Sequence, residues 1–353
     1  MPQRREKVVV AMSGGVDSSV SASLLLEQGY DVAGVSLRLW EGGRPSGRNC
    51  SDHSEARRVA EYLGIPHALI DARPAFARDV VRPFAEGYLS GRTPNPCVAC
   101  NRDFKLGVLM SWARAQGADY VATGHYARIA RSSGSSTALL RGVDRAKDQS
   151  YFLFSLSQEQ LNATLFPLGD WQKEDVRKRA RELGLPVAER PDSQDLCLGD
   201  YRRTVESLAQ NRVARGEIVD RAGRLLGTHA GVHRFTVGQR RGLGVAAPEP
   251  LYVLEVLADA RRVVVGTRKE LGSRGLVAGL VSWIAPPAAG EFAAEVQVRY
   301  RSRPIPCRVH AEGARAEVYF ERDDVVVTPG QAAVFYDGER VLGGGWIERA
   351  ISR

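Results

Sequence analysis

Residues 11–20 read Ala-Met-Ser-Gly-Gly-Val-Asp-Ser-Ser-Val and follow the apolar run Val8-Val9-Val10. An unbroken apolar run of this kind is the mark of a strand buried on both faces. The residues after it open a helix that stops at Gly29. A buried strand that hands a Ser/Gly loop to a helix N-terminus forms an anion cradle, because unpaired amides and the helix dipole converge there. Gly14 and Gly15 allow those amides to approach a phosphate that a Cβ would hold off. Ser13, Ser18 and Ser19 add hydroxyl donors, and Asp17 is suited to holding magnesium. The Lys-Ser/Thr pair that closes a Walker loop is absent. A bare Gly-Gly turn before a helix is more often structural; the seven residues Ser13–Ser19 after a buried strand favour phosphate binding.

Outward from the loop, strand-like runs alternate with helical patterns. Val32–Leu39, Ala68–Asp71 and Asp119–Thr123 read as strands, and Ser54–Leu63, Lys105–Gln116 and Lys173–Leu183 as helices stopped by Gly64, Gly117 and Gly184. Such alternation predicts an α/β fold with a parallel sheet covered by helices on both faces. After about Tyr201 the texture changes. Arg215–Gly227 holds a hairpin turning at Asp220-Arg221-Ala222-Gly223, and Gly231–Gly244 is rich in glycine and cations. Beyond Leu276 the pattern has period two, with Val296, Val298 and Tyr300 alternating with Gln297 and Arg299, and Asp337-Gly338 marks a hairpin. Short strands with frequent turns predict a C-terminal β-barrel. The expected division is a catalytic domain over 1–200, a small central domain over 201–272 and a barrel over 273–353.

The chain has 353 residues and a formal net charge of +8, with arginine supplying most of the excess. That balance favours a polyanionic partner without naming one, and a GC-rich genome would produce the same arginine bias. Met1–Lys7 is charged and leads into four apolar residues, too few for a signal peptide or a membrane span. A cytoplasmic protein with no membrane association is expected. Its five cysteines, Cys50, Cys97, Cys100, Cys197 and Cys307, are an odd number in a reducing compartment, which speaks against a disulfide framework.

Thr93-Pro94-Asn95-Pro96-Cys97-Val98-Ala99-Cys100-Asn101 is the second informative stretch. The prolines separate it from the preceding helix and place the cysteines on a constrained loop. A cytosolic Cys-x-x-Cys is a redox pair, half a zinc site or an iron–sulfur ligand set. No second pair at short spacing completes a zinc site, and the context is not that of a thioredoxin-like motif. The remaining partner is Cys197, in Asp192-Ser193-Gln194-Asp195-Leu196-Cys197. Cys307 and Cys50 read as inert apolar side chains.

The loop at 11–18 resembles the PP-loop of the N-type ATP pyrophosphatases, which split ATP between its α and β phosphates. That loop, Thr93-Pro94-Asn95-Pro96, Cys100-Asn101, Thr123-Gly124-His125-Tyr126, Lys147-Asp148-Gln149-Ser150-Tyr151, the segment ending at Cys197, Gly238-Gln239-Arg240, Arg299-Tyr300-Arg301 and Thr328-Pro329-Gly330-Gln331 occur in the order found in the tRNA-specific 2-thiouridylases. The resemblance spans nearly the whole chain. It implies an enzyme that uses ATP and Mg2+ to adenylate the C2 oxygen of the wobble uridine of tRNA and delivers sulfur from a donor protein, a persulfide carrier or a cysteine desulfurase. By the same resemblance Ala11, Met12, Ser13, Gly14, Gly15, Val16, Asp17 and Ser18 would bind ATP, with Leu37 and Gly124 flanking the nucleotide. Cys100 matches the nucleophile, and Cys197 the cysteine that carries sulfur as a persulfide. Asn95, Pro96 and Cys97 match the triplet that meets the target base, and His125, Lys147, Asp148, Gln149, Arg299, Tyr300 and Gln331 match tRNA contacts.

Two departures matter. Many relatives carry Asp where this chain has Cys97, so Cys97, Cys100 and Cys197 together could hold a 4Fe–4S cluster with one iron left open. Leu198-Gly199-Asp200 stands where relatives often have Phe and an aliphatic residue. In the persulfide mechanism a lowered thiol pKa would assist both Cys197 and Cys100, whereas with a cluster a sulfide on the open iron would be the nucleophile. The competing readings are another PP-loop adenylating ligase or amidating enzyme, which has no use for the thiols, and a non-catalytic nucleotide- and RNA-binding redox module, which would release no pyrophosphate.

Overall fold

The structure, a computed structural model, describes residues 4–40, 53–131, 136–192, 198–209, 212–285 and 290–352. Cys50 and Cys197 lie outside the described residues. The chain divides into two compact units, one made of residues 1–79, 97–199 and 339–341 and the other of residues 80–96, 200–338 and 342–353.

The first unit is built on a five-stranded parallel sheet. Its order is His67–Asp71, Asp31–Arg38, Lys7–Ala11, Tyr120–Ala122, Thr164–Leu165. Val8, Val9 and Val10 in the central strand are fully buried. Each contributes about 1.5–3 kcal/mol relative to an exposed side chain, which accounts for the unbroken apolar run. The helices Val16–Glu27, His53–Leu63 and Lys173–Glu182 cover the sheet with Val20, Leu25, Val59, Val176 and Ala180 in its core. Because the strands on either side of Lys7–Ala11 are reached by connections running in opposite directions, the sheet has its topological switch point between Lys7–Ala11 and Tyr120–Ala122. Open parallel sheets bind ligands at the carboxyl ends of the strands at such a point. The Ser/Gly loop and Thr123-Gly124 both leave the sheet there.

The expected helix Lys105–Gln116 is α-helical only over Leu109–Ala115. Before it runs a π-helix, Cys100–Val108, preceded by one α-turn, Pro96–Ala99. The cysteines therefore lie on a helix and not on a loop. The stretch is separate from the preceding helix, Arg82–Leu89, but a proline, with no N–H and a fixed φ, fits the first turn of a helix, and Pro96 starts one.

The second unit contains a four-stranded sheet, ordered Tyr252–Leu257, Arg262–Gly266, Gly216–Val219, Leu225–His229, over a core of Ile218, Phe235, Val253 and Val263. It also contains a barrel of six antiparallel strands, closed by pairing of Gly275–Trp283 with Arg340–Ile351. Leu276, Val296, Val309, Val318, Phe335 and Ile347 fill the barrel. The period-two strand stops at Gln297. Residues 299–302 turn instead, with the Ser302 amide and hydroxyl both donating to the Arg299 carbonyl at 3.0 and 2.7 Å. Arg301 takes a left-handed φ of 64° in that turn.

Candidate active site

The Ser/Gly loop is held open by its own backbone. Gly14 has φ 73°, a region that costs an L side chain about 1–2 kcal/mol. Gly15 is the N-cap and has no side chain with which to satisfy the first amides of Val16–Glu27. The hydroxyls of Ser18 and Ser19 instead donate to the Gly15 carbonyl at 3.1 and 2.9 Å, and the Ser13 amide donates to Ser18 Oγ at 3.3 Å. Serines thus brace the loop while the helix amides remain at its mouth, which is the arrangement that takes phosphate oxygens.

Gly124 lies against this loop. A Cβ there would stand 2.9 Å from the Asp17 carbonyl carbon and the Ser18 amide nitrogen, both backbone atoms. Gly124→Ala is therefore expected to push the loop aside, costing about 1–3 kcal/mol in stability and weakening ATP binding. A melting curve and an ATP titration on one preparation check this, and unchanged ATP affinity would contradict the packing argument. Leu37 is buried near the end of the strand Asp31–Arg38, two residues beyond the pairing of Val35 with Ala11.

Asp17 does not stand alone. Its Oδ1 accepts from the Tyr126 hydroxyl at 2.8 Å and from Lys173 Nζ at 2.6 Å. Lys173 Nζ also meets Asp192 at 2.9 Å, and Asp192 is held in turn by Lys147 at 2.8 Å and Arg177 at 2.6 Å. Burial pushes the Asp192 carboxyl up, but hydrogen bonds from Lys147 and Lys173 pull it further down, to about 2. Arg190 Nη1 donates to the Gly14 carbonyl at 3.1 Å. Lys173, Arg190 and Asp192 are not among the site residues expected from the sequence. The available signal was Lys173, which shares the buried face of its helix with Val176 and Ala180 at helical spacing.

The thiols of the same unit lie further along the chain. Cys100 is 6 % exposed. Burial raises its pKa, with Lys105 pulling down and Asp103 pushing up. Cys97 is pushed up to about 11, by burial first and the neighbouring Cys100 second. The expected lowering of thiol pKa is thus not what this environment produces: apolar surroundings disfavour the thiolate. The π-helix that begins at Cys100 is clamped by one side chain. Gln160 Nε2 donates to the carbonyls of Arg102 and Leu106, each at 2.7 Å, and Gln160 also completes the capping box of Gln158–Asn162. The wider π turn leaves carbonyls displaced from their usual α-helical donors, and the amide supplies replacements.

The residues matched to RNA contacts fall into two groups. Several in the first unit are engaged in holding its own loops. Asp148 is buried, and its carboxylate accepts from the amides of Gly142 and Ser150, the Ser150 hydroxyl and Arg141. Gln149 exchanges two hydrogen bonds with the Tyr126 backbone, at 2.9 and 3.1 Å. The His125 ring is buried, 2.7 Å from Thr123 Oγ1, and burial keeps it neutral, with its pKa well below the usual histidine range. Lys147 is half-buried on Asp192. In the second unit Gln331 Nε2 donates to the Thr93 carbonyl at 2.6 Å, and the Thr93 amide donates to Pro329. Gly330 (φ 91°) has no room for a Cβ beside Thr93. The Thr328–Gln331 turn thus fixes the approach to Asn95 and Pro96, which are half-buried. Arg299 is exposed, and Arg301 stacks over the Tyr300 ring at 5.4 Å. Cys307 is buried in the barrel, its thiol pushed up to about 12 by burial.

A parallel sheet with a Ser/Gly phosphate loop at its switch point and thiols in the same unit defines an ATP-using PP-loop protein equipped for sulfur chemistry. Three family models match the chain: a tRNA methyl transferase HUP domain over residues 6–200, a tRNA methyl transferase PRC-barrel domain over 205–267 and an aminomethyltransferase β-barrel domain over 273–347. The tRNA-specific 2-thiouridylase MnmA of Geotalea uraniireducens is 50 % identical over 99 % of this chain and 96 % of its own. Those of Geobacter metallireducens and Trichormus variabilis are 50 % and 47 % identical, over 99 % and 98 % of this chain and 98 % and 99 % of theirs. The chain belongs to the tRNA-specific 2-thiouridylase family.

Proposed function

We propose that this protein is an ATP-dependent tRNA uridine 2-sulfurtransferase acting on the wobble base. The observation that carries the proposal is the braced, side-chain-free N-cap at the switch point of the sheet, in a unit that also holds Cys100. The C2 oxygen of uridine is a poor leaving group. In the proposed reaction it attacks the α phosphorus of ATP, the α–β bridging bond breaks, and pyrophosphate departs with the electron pair, stabilised by the loop amides. The terminal sulfur of a Cys197 persulfide then attacks C2, and AMP leaves with the oxygen. Cys100 attacks the inner sulfur as the terminal one is released, which joins Cys100 to Cys197 in a disulfide that a thiol reductant must reopen before the next turnover. Methyl transfer, the activity in the family models' description, has no use for a phosphate loop in the same unit as thiols.

Magnesium fits the residues present. A phosphate-bound magnesium asks for only one or two carboxylates, and Asp17 stands at the loop for that purpose; the ion would screen the departing pyrophosphate. The proposal includes cytoplasmic placement, a partner that delivers persulfide sulfur, and three domains over 1–200, 201–272 and 273–353, a division supported by the extents of the family matches. Among the described residues no helix is long and apolar enough to cross a membrane. Direct contacts to the RNA are assigned to Asn95, Pro96, Cys97, Arg299 and Tyr300. His125, Lys147, Asp148, Gln149 and Gln331 are assigned to shaping the surface that meets it.

The direct test supplies unmodified tRNA, ATP, magnesium and a persulfide donor and measures 2-thiouridine, AMP and pyrophosphate. One AMP and one pyrophosphate per thiolated base are expected. ATP binding without pyrophosphate release would favour the non-catalytic module, and pyrophosphate release independent of the thiols would favour a different ligase.

Cys97 favours a second reading, in which Cys97, Cys100 and Cys197 hold a 4Fe–4S cluster whose open iron supplies a place for sulfur. Among the described residues no group of three such ligands is assembled, and the third cysteine lies outside them. Cys97→Asp separates the readings. On the persulfide route the variant retains 2-thiouridine formation with no iron. Loss of iron and activity together, with an inactive iron-free wild type, would transfer the assignment to the cluster.

A further inference from the structure

The phosphate loop has one conspicuous deficiency. Between Ala11 and Val20 it contains no lysine, arginine or histidine, so its donors are amides and hydroxyls alone. The leaving group it must stabilise is a polyanion. In Walker loops that charge is met by a lysine within the motif; here the cations come from far along the chain.

Lys173 and Arg190 both reach the loop. Lys173 Nζ stands 2.6 Å from Asp17 and 2.9 Å from Asp192, and its side chain is 8 % exposed. Its position is fixed from three sides. The backbone amide donates to Asp144 Oδ2 at 2.9 Å, the ammonium lies 5.8 Å from the centre of the Tyr126 ring, and the hydroxyl of that tyrosine bonds the same Asp17 oxygen. Two carboxylates take two of the three donors of the ammonium, which leaves one for a phosphate oxygen. Arg190 donates to the carbonyl of Gly14, the residue whose left-handed φ turns the loop. A guanidinium is a planar, permanently charged fork suited to phosphate, and this one stands at the turn of the loop.

The geometry points to Lys173 and Arg190 as the cationic side of the ATP site, contacting the phosphates released as pyrophosphate. Asp192 is then a positioning residue: it holds the ammonium at the loop while Lys147 and Arg177 balance its charge. This assignment rests on the reading of the loop as an ATP site. It explains why a lysine is buried at the first residue of its helix beside two acids. The competing role, a buried ion pair that only docks the helix Lys173–Glu182, has no preference between nucleotides.

Binding of ATP, AMP and inorganic pyrophosphate to the full chain discriminates between them. The variants are Lys173→Gln, Arg190→Gln and the charge-conserving Lys173→Arg, each checked for folding by circular dichroism and melting temperature. ATP and pyrophosphate are expected to bind about tenfold or more weakly to each Gln variant, the loss of one charge-assisted contact, with AMP within about twofold and Lys173→Arg between Gln and wild type. Undiminished ATP affinity in both Gln variants, or equal weakening of ATP and AMP, overturns the assignment. If Lys173→Gln fails to fold, Arg190→Gln decides alone, since the Arg190 side chain is only half-buried. A wild type that binds no ATP overturns the ATP-site reading itself, a result distinct from wild-type binding that the variants leave unchanged.

Discussion

Replacing Cys100 by serine is expected to abolish 2-thiouridine formation while leaving ATP-dependent pyrophosphate release in place. Adenylation needs the phosphate loop, whereas release of sulfur from a persulfide needs a second thiolate, and a serine hydroxyl is too poor a nucleophile toward sulfur to replace it. Cys197→Ser should have the same effect. Cys307→Ser should not, because Cys307 is enclosed by the barrel and donates only to the Ala294 carbonyl. The environment adds a pH signature. Burial raises the Cys100 pKa above the ordinary thiol value, so at neutral pH the thiolate is a small fraction. It grows about tenfold per pH unit until the raised pKa is reached. Alkylation of Cys100 by iodoacetamide in the nucleotide-free protein should follow that slope from pH 7 to 9. A fast, pH-independent reaction would mean that the thiolate is already formed, and a serine variant that still makes 2-thiouridine would remove Cys100 from the chemistry.

Asp17→Asn is the second large effect. It keeps a hydrogen-bond acceptor for Tyr126 but removes the charge, and a loss of about 10²-fold or more in adenylation is expected for one electrostatic stabiliser at the reacting phosphates. Asp17→Ala also orphans the tyrosine hydroxyl and takes one of two acids from the buried Lys173. Its stability cost should fall below the ~3–5 kcal/mol of a fully unpaired buried charge, since Asp192 remains at 2.9 Å. Rates of pyrophosphate release, measured beside thermal melts and tRNA affinity, separate the two consequences. Near-normal turnover in Asp17→Asn would take Asp17 out of the metal and phosphate site, and a parallel loss of tRNA binding would mean that the loop had collapsed.

Much of the fold is legible in the sequence. The Val8–Val10 run announces its strand because both faces of a central parallel strand are buried, and the Ser/Gly loop after it contains nearly all its functional atoms within nine residues. The C-terminal barrel was readable from alternation and from Asp337-Gly338. What sequence could not convey depends on distant partners or on helix pitch. Thr164–Leu165 is a strand of two residues, too short for any period. The π-helix has the residues of an ordinary amphipathic helix, and only the clamp from Gln160, more than fifty positions away, distinguishes it. Asp148 and Gln149 belong to a motif matched to RNA contact, yet their side chains are consumed by Gly142, Ser150 and Tyr126. Lys173 and Arg190 lie over 150 residues from the loop they serve, and no local pattern ties them to it.

The π-helix also sets an angular phase. Successive α-helical residues are turned by about 100° from one another, since 3.6 residues make a turn. A π segment accommodates an additional residue within the same rise as an α-helical neighbour, so it behaves as a one-residue insertion in an otherwise α-helical stretch. Deleting one residue from Arg102–Gly107 would let the segment relax to α pitch at no cost in chain connectivity. Because the wide turn absorbs the extra residue, the residues before it, Cys97 and Cys100 among them, would keep nearly the same phase against the buried Leu109 and Met110. The wide turn thus lets the segment carry one residue more than an α-helix would without changing the direction in which the two thiols face.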